Sequence, residues 1–274
     1  RDRSPSRGLG DVYKRQLASR VNWGNFNNAY PYIAIPGHPI AMFYGHIFDG
    51  VYQYTDFDKV GESYILKDGV PNNGNAREKI QPGDIKFKDI NRDGVVNDYD
   101  LTIIGNPNPK HIGGFGNNFQ YKNFDLNVFF QWSYGGDVLN ANRIEFEGGD
   151  PNARTSLNMF ASFANRWTPE NQTNELYRIG GQGPAVYSSR TIEDGSFLRL
   201  KTVSLGYRLP NAWLKKINIK SLRVYASAQN LITWTRYSGP DPEVSTRPTA
   251  LTPSFDWSPY PRPRTLTLGV DISF

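Results

Sequence analysis

The residues with the clearest chemistry lie in the run Asp89-Ile90-Asn91-Arg92-Asp93-Gly94-Val95-Val96-Asn97-Asp98-Tyr99-Asp100. Oxygen-bearing side chains recur at alternate positions, and Gly94 falls where a calcium loop makes its sharp turn. Ca2+ is a hard cation that takes about six to eight oxygens, and this spacing wraps side chains around one point. Asp89, Asn91 and Asp93 would supply the first three ligands, followed by the Val95 carbonyl, Asn97 and Asp100. The last position holds Asp where Glu is usual, so a shorter arm reaches the ion and affinity is expected to be modest. No long helices flank the run. That speaks against a calcium-triggered opening and for a structural ion stiffening a long loop. The same spacing also builds a metal-free polar turn of Asp and Asn, and both readings stay open at this stage.

Other candidates are weaker. His38, His46 and His111 are scattered, and two of them neighbour Gly or Pro, which places them in loops or at strand rims. Gly113-Gly114-Phe115-Gly116 does not open a helix and so is not a phosphate loop. Asn171-Gln172-Thr173 matches a glycosylation acceptor, which means little without a eukaryotic secretory origin. Glu145 and Glu147 could be imagined as paired glycosidase carboxylates, yet nothing separates them from solvated loop acids, and no enzyme is expected. Tyr177, Tyr187, Tyr237, Trp257 and Tyr260 either stack on sugar faces or pack their loops together.

The elements that position these residues are strands. Thr265 to Phe274 alternates strictly, with Leu266, Leu268, Val270, Ile272 and Phe274 on one face. Phe124 to Tyr134 does the same, with Phe129 the one exception. Leu222 to Trp234 and the glycine-rich Ile112 to Tyr121 follow the pattern. Phe197 to Arg208 changes phase midway, which a bulge near Lys201 explains. Ile40 to Tyr54 holds one or two further strands. Lys122-Asn123 and Leu209 to Ser221 are short links. Gly135–Ser196, Thr235–Arg264 and Gln53–His111 are long ones, with a short helix expected near Leu157 to Trp167. Loops of that length are uncommon in compact soluble domains, but suit an antiparallel barrel with short turns at one end and long excursions at the other.

Composition narrows the choice. The 274 residues carry 16 Tyr, 16 Phe and six Trp, too aromatic for a disordered chain despite a mean hydropathy of −0.58. Zero cysteines exclude a disulfide scaffold, a thiolate zinc site and a cysteine nucleophile. The net charge of +5 invites a nucleic-acid partner. However, residues 1–16 hold five basic and two acidic residues, leaving 26 basic against 24 acidic in the remainder. That segment is unlike everything after it and is read as a non-native adaptor-like stretch, so residues 17–274 are the working sequence and nucleic acid is not an expected partner. Strands of about ten residues match those that cross a bilayer at a tilt, and Trp132, Tyr134, Tyr207 and Trp234 at strand ends suit an aromatic girdle. Two architectures share the pattern. One is an all-β antiparallel transmembrane barrel, present here as its C-terminal strands only, with long extracellular loops. The other is a secreted, calcium-stabilised β-sandwich that binds carbohydrate.

The run GDIKFKDINRDGVVNDYDLTIIGNPNPKHIGGFGNNFQYKNFDLNVFFQWSYG (Gly83 to Gly135) resembles the C-terminal barrel region of SusC/RagA-type TonB-dependent outer-membrane transporters of Bacteroidetes. Further pieces follow in the family's order. They are RWTPEN (Arg166 to Asn171), EDGSFLRLKTVSLGYRLP (Glu193 to Pro210), RVYASAQNLITWTRYSGPDPEV (Arg223 to Val244) and YPRPRTLTLGVDISF (Tyr260 to Phe274). HPIAMFYGHIFDGVYQ (His38 to Gln53) also fits. The resemblance implies a share of a barrel of about 22 strands around a plug, located in the cell outer membrane. It also implies import of an oligosaccharide or peptide captured by a SusD-like surface lipoprotein, with energy relayed by TonB through an N-terminal region this chain lacks. Phe274 would end the last strand on the periplasmic side.

Overall fold

The structure, a computed structural model, describes residues 21–24, 30–148, 158–183, 187–215, 218–247 and 249–274. The adaptor-like segment 1–16 lies outside the described residues. In chain order the strands are β1 (Val21–Trp23), β2 (Tyr32–Ala34), β3 (Met42–Gly45), β4 (Phe48–Val51), β5 (Phe57–Val60), β6 (Ser63–Leu66), β7 (Ile85–Phe87) and β8 (Thr102–Gly105). They continue with β9 (His111–Tyr121), β10 (Phe124–Tyr134), β11 (Asp137–Asn140), β12 (Ile192–Asp194), β13 (Phe197–Arg208), β14 (Ser221–Thr235), β15 (Phe255–Asp256) and β16 (Thr265–Ser273). Among the described residues the short α-helices are α1 (Asn142–Gly148) and α2 (Asn211–Leu214).

The described chain falls into two compact units. One comprises β9, β10, β13, β14 and β16 as a single antiparallel sheet in the order β16-β14-β13-β10-β9. The sheet is open: among the described residues β9 and β16 each have one neighbour, and no closed barrel is formed. Register steps at Leu200/Thr202 place the extra residue Lys201 opposite β10, as the phase change in the sequence predicts. A compensating extra residue in β14, at Asn230 with φ of 53°, returns the outer strands to register. Lys122-Asn123 closes β9 onto β10, with Lys122 at φ of 52°, and the segment holding α2 links β13 to β14.

The other unit comprises the described residues up to Asn108 together with Asp137–Glu193 and Val244–Pro259, so it joins the N-terminal strands to most of the three long segments. Their aromatic residues were left open between stacking on sugars and packing the loops on each other, and Tyr177 and Tyr187 pack. β1, β2, β3 and β8 pair antiparallel, β5 and β6 form a hairpin, β4 pairs with β7, and β11 pairs parallel with β15. Tyr32, Phe43, Leu139, Tyr187 and Phe255 pack in one cluster; Val51, Phe87, Val96, Trp167 and Tyr177 pack in a second. The helix expected at Leu157 to Trp167 is a 3-10 turn, Ala161–Asn165, and Leu157 itself is outside the described residues. Phe163 and Trp167 still join the core, whereas Phe160, expected on the same apolar face, is exposed.

Candidate functional site

The five-stranded sheet has two chemically opposite faces. Pairing places Tyr121, Phe119 and Phe115 of β9 beside Phe124, Leu126, Val128, Phe130 and Trp132 of β10. These meet Tyr207, Leu205, Val203, Leu200 and Leu198 of β13 and, beyond them, Val224, Ala226, Ala228, Ile232 and Trp234 of β14. Ile272, Val270, Leu268 and Leu266 of β16 complete the face. On the outer strands these side chains are exposed, with Phe115, Phe119 and Val270 about half accessible and Leu268 86% accessible; on β10 and β13 Leu126, Val128, Phe130, Leu200 and Val203 are half-buried by their neighbours in the row. The sandwich alternative requires a second sheet over this face, and among the described residues none covers it. From Phe124 to Tyr134 the row runs ten residue steps, or about 34 Å along the strand, which at a tilt of about 40° spans about 26 Å, the height of an apolar barrel belt.

The opposite face is polar and internally paired. Arg223 reaches across Gly206 to Asp125 (3.0 and 2.6 Å) and sideways to Asp271 (3.1 Å). Gly206 is required for this crossing, because a Cβ there would lie 2.5 Å from the guanidinium. Asn127 and Asn118 pair side chain to side chain, and Lys201 Nζ donates to Gln131 Oε1 at 2.6 Å. Phe129, the exception to the alternation, lies over Gly114 and Gly116, so a ring on the polar face fills space its glycine neighbours leave. Towards the long-connection end, Arg199 donates to Asp241 (2.5 Å) and Glu243 (3.0 Å), and Arg262 bridges the same two carboxylates at 3.1 and 2.7 Å. Sequence reasoning missed this cluster. The Asp241-Pro242-Glu243 spacing was the one available signal, and it names no partner.

The Asp89–Asp100 run folds as a tight loop. Asp89 accepts the Arg92 and Gly94 N–H groups at 2.6 and 2.8 Å. Asn91 Oδ1 accepts the Asp93 N–H, and Asp93 Oδ1 accepts the Val95 N–H. Asn91 Nδ2 meets Asp93 Oδ2 at 2.8 Å. Gly94 has φ of 84°, which only glycine adopts cheaply. Asn97 caps the 3-10 turn Asp98–Asp100 by accepting from Tyr99 N–H. Asp100 behaves differently from Asp89, Asn91 and Asp93. It is fully buried, and its oxygens accept the Ile90 and Asn97 N–H groups at 2.8 and 2.9 Å, so it clamps the two ends of the loop. Among the described residues no three His, Cys, Asp or Glu side chains converge as a metal cluster. Any ion here would draw on amide and carbonyl oxygens beside Asp89 and Asp93.

The remaining candidates resolve into packing. His46 stacks on Phe87; burial pushes its imidazole pKa down, against the pull of Asp100 and Asp98. Glu147 is bound by Arg143 (2.9 Å), Arg190 (2.7 Å) and Ser162 (2.7 Å). Burial pushes its carboxyl up, but the Ser162 hydrogen bond and the two guanidiniums outweigh this and hold it below the usual range. A glycosidase acid needs the opposite shift. Tyr177, Tyr187 and Tyr237 are buried and cannot stack on a sugar, whereas Tyr260 is exposed.

No protein-family model matches the chain. Individual proteins do. The chain is 36% identical over 256 residues to TonB-dependent receptor P3 of Formosa agariphila, spanning 92% of this chain and 24% of that receptor. It is 32% identical over 200 residues to TonB-dependent receptor SusC of Bacteroides thetaiotaomicron, spanning 72% and 18%. Among solved structures, the RagAB peptide transporter superposes with a TM-score of 0.66 at 25% identity, covering 93% of this chain and 24% of that one. The RagAB peptide importer in its closed-closed state gives 0.65 at 26%, covering 93% and 25%. The chain thus spans about a fifth to a quarter of the length of these relatives, which are receptors and transporters, not enzymes. Over about nine tenths of its length, the chain is homologous to TonB-dependent receptors of the SusC/RagA family.

Proposed function

We propose that the five-stranded unit is the C-terminal stretch of barrel wall in an outer-membrane transporter that imports nutrients with a SusD-like surface lipoprotein, powered through TonB. The observation that carries this is the exposed apolar face, continuous over five strands and backed by a self-paired polar face. In water such a face is an aggregation surface; in a bilayer it is the lipid contact, and the polar face lines the lumen. The free edges of β9 and β16 would be continued by other strands of the same barrel. The short links would lie on the periplasmic side and the long connections on the extracellular side, where cargo and lid arrive. The cargo is an oligosaccharide or a peptide, and the peptide importers among the structural relatives favour the second. A protein spanning residues 17–274 is expected to stay dispersed only in detergent; a monodisperse monomer in plain buffer, seen by light scattering, would overturn the reading.

We also propose that Asp89, Asn91, Asp93, the Val95 carbonyl, Asn97 and Asp100 hold a structural Ca2+. The support is the loop order, with Asp89 accepting the Gly94 N–H across the turn. Because Asp100 is committed to backbone donors, binding should be modest, in the range of extracellular modules at about 10⁻⁴–10⁻³ M. Calorimetric titration should show saturable calcium heat that disappears in Asp89→Ala/Asp93→Ala. Identical heats from both proteins would remove the site.

A further inference from the structure

One row of the apolar face is uneven. Gly113, Trp132, Leu198 and Trp234 are register partners on four successive strands, so two indoles flank a leucine. With strands about 4.8 Å apart, the backbones of Trp132 and Trp234 stand roughly 10 Å from each other, and the Trp132 ring leans away over Gly113, leaving a notch over Leu198. The notch belongs to a hollow of about 640 Å³ at the long-connection end of the sheet, whose lining also includes His111, Tyr134, Asp194 and Arg236. Its mouth is ordered. Trp132 Nε1 donates to His111 Nδ1 at 3.1 Å, leaving Nε2 to carry the imidazole proton, and the His111 ring stacks on Tyr134. Lys110 Nζ lies 5.9 Å from the Tyr134 ring centre. Asp194 accepts the Ser196 N–H at 2.9 Å. Among the described residues no carboxylate forms an ion pair with Lys110 or Arg236, and both are exposed. An apolar slot is therefore lined at its mouth by Arg236 and an imidazole, with Lys110 next to the lining residue Tyr134, against one carboxylate already engaged by backbone.

We propose that this hollow binds a single membrane lipid with a phosphate-monoester headgroup. One acyl chain lies on Leu198 between Trp132 and Trp234, and the phosphate is met by Arg236, Lys110 and the His111 N–H. The charge balance at the mouth selects this occupant over a zwitterionic lipid, whose ammonium would meet the same cations. The inference rests on the apolar face being the lipid contact, and its test separates the two. The 274-residue chain is reconstituted in mixed micelles containing lipid with brominated acyl chains, and tryptophan quenching is followed. The contribution of the notch is isolated by subtracting Trp132→Phe/Trp234→Phe. Brominated phosphatidic acid is expected to quench that signal at about thirtyfold lower mole fraction than brominated phosphatidylcholine, as two surface cations would give. Lys110→Gln/Arg236→Gln should abolish the preference and leave the phosphatidylcholine curve unchanged. Equal curves for the two lipids, or a preference that survives in the double variant, overturn the lipid site while the lipid-facing sheet stands. Absence of quenching by either lipid overturns both.

Discussion

Replacing Arg199 with methionine is expected to destabilise the five-stranded unit by about 3 kcal/mol and to release the segment after β14 to protease, with methionine chosen to keep the length of the side chain while removing charge and donors. Arg199 is 2% exposed and Asp241 9%, so the pair is shielded from water and salt. Removing the guanidinium leaves two carboxylates facing one half-exposed partner, Arg262. That residual pairing keeps the loss at the lower end of the usual cost of orphaning a buried charge. Arg199→Lys should recover only part of it. An ammonium restores the charge but not the fork that reaches Asp241 and Glu243 together and also meets Thr233 Oγ1 at 3.0 Å. Thermal unfolding in detergent with limited proteolysis measures both variants. If Arg199→Met melts with the wild type at low and at high salt, the cluster does not hold the segment.

This cluster also marks where sequence reading stopped. The sheet was legible because each of its strands runs nine residues or more, long enough for period-2 alternation to declare itself, and the Lys201 bulge was legible as a break in that phase. The step at Asn230 was not, since small residues around Ala226 and Ala228 blur the pattern there. The unit built from the long segments was hidden for a different reason. Its strands are mostly three or four residues, too short for a period, and its core joins residues more than a hundred positions apart. Tyr187 donates to Tyr44 O across 143 positions, and Trp167 donates to Gln53 across 114. Nothing local announces such partners, so aromatic residues that pack loops together read equally well as sugar platforms. The acidic loop lies between these cases. Spacing fixed its turn, but only the fold distinguishes Asp89, on the rim, from Asp100, buried as a clamp.

Gly83→Ala should be the most damaging single-methyl change in the packed unit, costing about 3 kcal/mol and lowering its melting temperature by roughly 10 °C. Two effects add. Gly83 has φ of 91°, where a side chain is strained, and a Cβ there would sit 2.4 Å from the Trp167 ring. The indole cannot retreat. Its Nε1 is tied to Gln53 Oε1 at 3.0 Å, its backbone N–H to Leu176 O at 2.8 Å, and Tyr54 packs against its ring. Nor can the glycine move, because its N–H reaches Tyr52 O and its carbonyl takes the Arg178 N–H, both at 2.7 Å. Two other glycines separate the causes. Gly61→Ala meets the same sign of φ, 63°, with open space around the new methyl, and should cost about 1 kcal/mol. Gly69→Ala meets neither constraint and should be neutral or slightly stabilising. Equal melting of Gly83→Ala and Gly61→Ala would mean that backbone strain alone is being read and that Trp167 has room to give. The expected ordering, with Gly83→Ala far below the other two, would establish the indole as the rigid wedge that ties segments 51–54, 83–85 and 167–178 into one body.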